Sequence, residues 1–332
     1  MALNGKVMVT GGAGYIGSHA VLALCDAGYD VVVVDNLVTG FAWAVDPRAT
    51  LVEANVADDI AVRAAIRDHN VRAIVHFAGS VVVPESVSDP LKYYRNNTAA
   101  TRSLIESAVT EGVPHFIFSS TAATYGTPVK VPVEETDSTV PINPYGMSKL
   151  MTEAMLRDVA AAYPINYAVL RYFNVAGADP QQRTGQSTVG ATHLIKIAVE
   201  AALGKRASVG VYGTDYDTPD GTGVRDYIHV SDLAAAHVAA LDLLVAEPGK
   251  SHTLNAGYGK GFSVLEVLDA VDRVTNMKLT RVIEGRRAGD AGELVADNRA
   301  ILATLDWTPQ RADLDGIVRD ALAWERKLGE RG

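Results

Sequence analysis

Cysteine is nearly missing from this chain. Cys25 is the only one among 332 residues, so no disulfide framework can form within the chain, and a reducing, cytoplasmic setting is expected. Cys25 falls on a predicted helix and reads as a small core-packing side chain. There is no HExxH and no CxxC spacing, and the histidines show no ligand pattern, so no metal site is expected. No apolar run is long enough to cross a bilayer. A strand expected at Lys6 to Thr10 leaves no room ahead of it for a signal peptide. Positive charge is also scarce. Lys and Arg total 30 against 39 Asp and Glu, a net charge of −9, which argues against nucleic acid or an anionic membrane as the main partner. Any anionic ligand must then be held by local donors. Internal repeats and low-complexity linkers are absent too.

What is present is ordinary globular material, 48% hydrophobic and 21% charged, long enough to bury a large core as one big α/β unit or two lobes. Val7-Met8-Val9-Thr10 is a short apolar strand. Gly11-Gly12-Ala13-Gly14-Tyr15-Ile16-Gly17 follows it, and then a helical stretch to Ala27. In a strand–loop–helix setting the first glycine of the 11, 14, 17 series permits a tight turn. The second lets backbone approach a pyrophosphate, and the third lets helix pack closely on strand. The helix start then offers free N–H groups and a positive dipole end. A second strand, Tyr29 to Val34, ends in Asp35, whose carboxylate can accept from both adenosine ribose hydroxyls and repel a 2′-phosphate. This pattern calls for NAD in preference to NADP. A solvated strand end is the plainer reading of Asp35 alone.

Strand–helix alternation continues through strands at 50–55, 73–77, 115–119 and 166–173, with helices at 60–69, 90–111 and from Tyr145. Short apolar runs alternating with helices predict an α/β fold, a Rossmann-type doubly wound parallel sheet. In such sheets ligands lie beyond the carboxyl ends of the strands. Gly11, Asp35, Gly79, Thr121 and Asn174 all fall there. The alternation fades after Asn174, which divides the chain into a dinucleotide-binding domain at 1–175 and a mainly substrate-binding lobe at 176–332. Segments at about 225–260 are expected to return to the first domain, with a strand and helix around 253–275 rejoining the large sheet.

Tyr145 and Lys149 stand one helical turn apart, on the same face. A phenol has a pKa of about 10, so ionising it at neutrality takes about 4 kcal/mol. One cation about 4 Å away, at an effective dielectric of about 20, supplies an amount of that order. The pair can therefore form a general base for a hydroxyl proton. An unrelated exposed Tyr and Lys would show the same spacing; what surrounds the pair weighs against that.

These motifs together resemble the extended short-chain dehydrogenase/reductase family, and within it most closely the UDP-glucose 4-epimerases. The resemblance rests on Thr10-Gly-Gly-Ala-Gly-Tyr-Ile-Gly-Ser-His19, His76-Phe-Ala-Gly79, Phe118-Ser-Ser-Thr121, Tyr145-x-x-x-Lys149, Arg171-Tyr-Phe-Asn174 and Gly221-Thr-Gly-Val-Arg-Asp-Tyr-Ile-His-Val230. They span nearly the whole chain. The resemblance implies an NAD-dependent isomerase that oxidises a UDP-sugar at C4, lets the flat 4-keto sugar turn over, and reduces its other face. Tyr145 would be the base, Lys149 would lower its pKa and hold the nicotinamide ribose, and Thr121 would bond the 4-oxygen. Cofactor contacts are implied for Gly11, Gly14, Tyr15, Ile16, Gly17, Asp35, Asn36, Asn55, Val56, Phe77, Ala78, Gly79, Asn96, Ser119, Tyr145, Lys149 and Tyr172. For the UDP-sugar they are Thr121, Tyr145, Phe173, Asn174, His193, Leu194, Tyr212, Arg225, Arg287, Asp290 and Leu294. A homodimer packing the helices at Pro90 and Tyr145 is implied as well.

Ala122 and Ala123 stand where the related 4,6-dehydratases place Asp-Glu, and methyl groups cannot move protons, which favours epimerisation. Three departures from the family pattern bear on the ligands. Asn55 replaces an Asp that accepts from the adenine amine, Val81 replaces a Lys near the cofactor phosphates, and Leu294 occupies a gate position beside the sugar. UDP-pentose and UDP-N-acetylhexosamine remain alternative substrates. A non-catalytic NAD-binding regulator would have no need of Thr121, Tyr145 and Lys149 together.

Overall fold

The computed structural model describes residues 3–330. Six parallel strands are laid down first: β1 (Lys6–Thr10), β2 (Val31–Asp35), β3 (Thr50–Glu53), β4 (Val71–His76), β5 (His115–Thr121) and β6 (Asn166–Tyr172). The smaller strands of the second half are β7 (Asn174–Ala176), β8 (Val209–Tyr212), β9 (Val224–His229), β10 (His252–Ala256), β11 (Gly261–Ser263), β12 (Arg281–Glu284) and β13 (Glu293–Leu294). The large sheet has the order β10-β6-β5-β4-β1-β2-β3, and all its pairings are parallel. The order reverses between β1 and β4, where a doubly wound sheet opens a crevice at its carboxyl edge.

Both faces of this sheet are covered, which is why its strands are apolar at successive positions. Val7, Val9, Val33, Val75, Ile117 and Leu170 face one core. Met8, Val32, Val34, Ile74, Phe116 and Phe118 face the other. The helices are α1 (Tyr15–Asp26), α2 (Asp59–Asp68), α3 (Val83–Ser88), α4 (Pro90–Tyr93), α5 (Ala100–Thr110), α6 (Pro144–Ala162), α7 (Leu194–Ala202), α8 (Val230–Ala246), α9 (Val264–Thr275), α10 (Arg299–Thr304) and α11 (Leu314–Gly329). Leu24 of α1 and Leu233 and Leu244 of α8 bury against the first face. Leu104 of α5 and Leu156 of α6 bury against the second.

Three expectations are corrected in detail. The second strand begins at Val31, not Tyr29. The helix expected over 90–111 is broken by a π-type turn at Tyr94–Ala99 between α4 and α5. In the second half β10 does rejoin the large sheet, beside β6, but α9 does not follow it. Its apolar side, with Val267, Leu268 and Val271, packs into a separate core with α7 and α11. The helix that backs the large sheet is α8, against α1, β5 and β6. The small lobe holds two sheets, one of β11, β9 and β13 with β7 paired to β9, and one of β12 and β8.

Candidate active site

The glycine loop has no room for a side chain at Gly11 or Gly17. A Cβ on Gly17 would lie 2.1 Å from the Gly11 carbonyl oxygen, and one on Gly11 would lie 2.7 Å from the Ala78 nitrogen. Gly11 also sits at φ +70°, where a side chain is strained. Helix α1 starts after Gly14 with no side-chain cap and no acidic residue in its first turn. The N–H groups of Tyr15, Ile16 and Gly17 thus have no intrahelical acceptor and face an anion without competition. Asp35, buried at the end of β2, fixes the loop by accepting from Ala13 N at 2.9 Å and Leu37 N at 2.8 Å. Each of its oxygens keeps a second lone pair for a ribose hydroxyl. Loop, bare helix start and carboxylate fit the dinucleotide expected from the sequence.

The other expected cofactor contacts distribute along the same edge. Asn36 follows β2 in an exposed turn, where its Oδ1 accepts from Val38 N. Asn55 and Val56 follow β3; Asn55 Oδ1 accepts from Ala57 N at 2.9 Å. Phe77, Ala78 and Gly79 continue from β4, and Val81 stands 52% exposed beyond them. Ser119 and Tyr172 close the row, their hydroxyls 2.5 Å apart across β5 and β6.

Thr121 ends β5, and α6 carries Tyr145 and Lys149 past it. Gly146 makes that approach possible. A Cβ there would sit 2.5 Å from the Ala123 carbonyl oxygen, in the turn directly after Thr121. Tyr145 is buried, and burial holds its phenol above the ordinary value, while the neighbouring Thr121 hydroxyl works in the opposite direction. Lys149 is buried as well. Its Nζ donates to the Ser119 carbonyl oxygen at 2.9 Å and lies 4.9 Å from the Phe118 ring centroid. Burial pushes its pKa down to about 8, with Glu153 one turn along α6 pulling it back up. The downward pull on the phenol comes from Thr121, and the ammonium is engaged by the β5 backbone.

The expected substrate contacts fall into two groups on the small lobe. Asn174 opens β7, and with His193, Leu194 and Gly177 it lines a cleft floored by Trp324. Gln186 meets His193 Nδ1 at 2.7 Å in that cleft. The second group lies on two strand pairs, β9 with β13 and β8 with β12. Leu294 pairs with Arg225 in register. Arg225 donates to the carbonyls of Val224, Gly292 and Ala291, the last at 2.6 Å. Arg287 stacks on Tyr212, its guanidinium carbon 3.5 Å from the ring centroid, and Asp290 lies in the same loop, its N–H turned toward the Arg287 carbonyl. Leu294 is buried in an apolar cluster with Ala122, Tyr125, Val133, Phe173 and Ala296. That cluster brings Phe173 and Leu294 against the turn following Thr121.

Sequence reasoning passed over two features. The first is Asn97. Asn96 meets only the Ser80 hydroxyl, at 3.1 Å. Buried Asn97 accepts from Ser80 N at 2.7 Å and donates to Ser80 O and Ser148 Oγ, both at 3.0 Å. It ties the Gly79 loop to the turn of α6 between Tyr145 and Lys149. The second is a polar network behind the site. Arg171 pairs with Glu153 at 2.6 Å, Ser120 donates to Glu153 at 2.5 Å, and Arg171 donates to Tyr125, which donates to Asn255. Arg171 stood inside a recognised motif, yet its partner four residues past Lys149 was the only available sign.

Comparison with known proteins identifies the family. Residues 7–257 match the profile of the family described as NAD dependent epimerase/dehydratase. A UDP-glucose 4-epimerase of Azospirillum brasilense is 53% identical over 98% of this chain and 94% of its own length. Among solved structures, the UDP-glucose-4-epimerase of Stenotrophomonas maltophila, with bound NAD and formylated UDP-arabinopyranose, superposes with a TM-score of 0.95. It is 38% identical and covers 99% of this chain and 100% of its own. The UDP-Glc/GlcNAc 4-epimerase of Campylobacter jejuni gives a TM-score of 0.84 at 44% identity, covering 98% of this chain and 100% of its own.

Proposed function

The chain belongs to the NAD dependent epimerase/dehydratase family, and on that footing we propose that it is an NAD-dependent 4-epimerase interconverting UDP-glucose and UDP-galactose. The observation that carries this reading is the convergence of Thr121, Tyr145 and Lys149 at the carboxyl end of β5, beside a bare glycine loop. NAD, when bound, would supply an oxidised nicotinamide ring able to accept a hydride and give it back, and would add positive charge to the cleft. The backbone amides of Tyr15, Ile16 and Gly17 would hold its diphosphate, with Gly11 and Gly14 shaping the loop beneath it, and Asp35 would hold its adenosine ribose. A 2′-phosphate would meet the Asp35 carboxylate and be repelled.

In this reading Tyr145 takes the proton of the sugar 4-OH. Thr121 hydrogen-bonds the same oxygen and keeps it in line with the phenol, and both groups then serve the 4-keto oxygen when it is reprotonated on return. Lys149, buried and charged below about pH 8, favours the phenolate. Arg225, Arg287 and Asp290 hold the diphosphate and ribose of the nucleotide, since an Arg fork gives paired bonds to phosphate. Ala122 and Ala123 offer no further acid or base, so elimination does not compete with reduction of the 4-keto sugar.

A wider substrate range has one observation in its favour. Leu294 presents an aliphatic wall, and the Campylobacter relative is named for both glucose and N-acetylglucosamine substrates. We also read the exposed Leu91, 77% accessible, and Met151, 40% accessible, on α4 and α6, as part of a homodimer face of a cytoplasmic enzyme. The test of the central reading is Tyr145→Phe. It keeps the ring but removes the proton acceptor, and turnover should fall by about 10²–10⁴ while NAD stays bound. Near wild-type turnover would rule Tyr145 out as the base.

A further inference from the structure

Asn143 stands two residues before Tyr145 and is not among the residues the site reading used. Its side chain does two jobs at once. Oδ1 accepts from Gly146 N at 2.8 Å and caps α6. Nδ2 donates to the Gly289 carbonyl oxygen at 3.2 Å. Gly289 lies between Arg287 and Asp290, in the loop that runs into β13. The residue is 7% exposed, so water competes little for either bond. Gly289 adopts φ +84°, and a Cβ built on it would come 3.4 Å from Asn143 Cβ. The loop therefore turns closely against Asn143, with Val87 next to it.

We propose that Asn143 is a positioning residue that couples the nucleotide-binding loop to the helix bearing the base. Its oxygen holds the first turn of α6, and so Tyr145, in place. Its amide nitrogen holds the 287–290 loop at the mouth of the site, ready for the diphosphate and ribose. The inference rests on the reading of Arg287 and Asp290 as substrate contacts. The two halves of the carboxamide act on different kinetic constants. The oxygen half governs kcat, through the placement of the phenol. The nitrogen half governs binding, because a loop that must be ordered by the ligand itself binds it less tightly.

Substitutions can separate the halves. Ser and Asp cap a helix as well as Asn does, but neither donates to Gly289: Ser is too short, and the Asp carboxylate has no N–H. Asn143→Ser and Asn143→Asp should both raise KM for UDP-galactose, and the Kd of UDP by calorimetry, about three- to tenfold, the scale of one lost hydrogen bond. Their kcat should stay within about twofold of wild type. Asn143→Ala loses both bonds, and its kcat should fall as well. Comparing the neutral Ser with the charged Asp separates loss of the donor from charge repulsion. An unchanged UDP Kd in Asn143→Ser, with wild type active, overturns the proposal. So does a fall in kcat in Asn143→Ser equal to that in Asn143→Ala. If wild-type protein does not epimerise UDP-galactose at all, the failure lies with the reading of the site, and UDP calorimetry still decides the role of the Asn143 donor.

Discussion

Burial draws Lys149 from its ordinary 10.5 down to about 8, so the ammonium is shed within the range where activity is measured. As pH rises through about 8 the site loses the positive charge that favours the Tyr145 phenolate, and kcat/KM should turn down there. Lys149→Arg stays charged far above this range, and its alkaline limb should disappear whatever its absolute rate. An identical limb in both proteins would assign it to another group. Stability runs the other way. Between about 8 and 10.5 the folded state binds fewer protons than the unfolded one, so this group's unfavourable contribution fades as pH rises. Leu294 is the other residue whose chemistry invites a direct test. It packs with Ala122, Tyr125 and Phe173, close to the turn after Thr121. Leu294→Ala should speed epimerisation of UDP-N-acetylglucosamine relative to UDP-glucose, and Leu294→Tyr should suppress it, since an added group in a packed site costs about 1–3 kcal/mol. A substrate ratio unchanged across the three proteins would remove Leu294 from the specificity wall.

The elements explain why these residues meet, and α6 is the clearest case. Its Tyr145–Lys149 spacing was readable from the chain, because one helical turn is a local property. That Gly146 must lack a side chain was not readable, because the reason is the Ala123 carbonyl on another segment. Gly146→Ala sets two effects against each other. Ala improves helix propensity by about 1 kcal/mol. The new Cβ, 2.5 Å from a backbone oxygen, cannot be relieved by a side-chain rotation, and overpacking costs about 1–3 kcal/mol. The clash should win, with a lower Tm and a loss of turnover as α6 is pushed from Thr121. A Tm at or above wild type would show that the helix has slack. The π-type turn at Tyr94–Ala99 lies in another blind spot. Regular spacing cannot tell Asn96 from Asn97 as the residue turned inward, since an inserted residue rotates everything after it.

At the scale of the whole molecule, legibility followed sequence distance. The large sheet was readable because each strand, its glycine or acidic terminus and the next helix are neighbours in the chain, and parallel winding places all those termini on one edge. The small lobe was not. Its strands β9, β11 and β13 join across long separations, and α9 looks like a sheet-covering helix until α7 and α11 are seen to enclose its apolar side. Tyr212, Arg225, Arg287 and Leu294 could be grouped only by resemblance; the pairing of β9 with β13 sets Arg225 beside Leu294, and that of β8 with β12 leads Arg287 onto Tyr212. The buried pair of Glu153 and Arg171 then ties α6 to β6 behind the site. What this assembly achieves is a closed cycle in which every electron pair taken from the sugar returns to it. The measurement that bears most directly on that claim is to incubate the purified protein with UDP-galactose, adding no NAD, and to follow sugar products and absorbance of reduced nicotinamide together. The account predicts conversion to a stable mixture of UDP-galactose and UDP-glucose with no accumulating NADH. Stoichiometric NADH, or a product other than the 4-epimer, would contradict it.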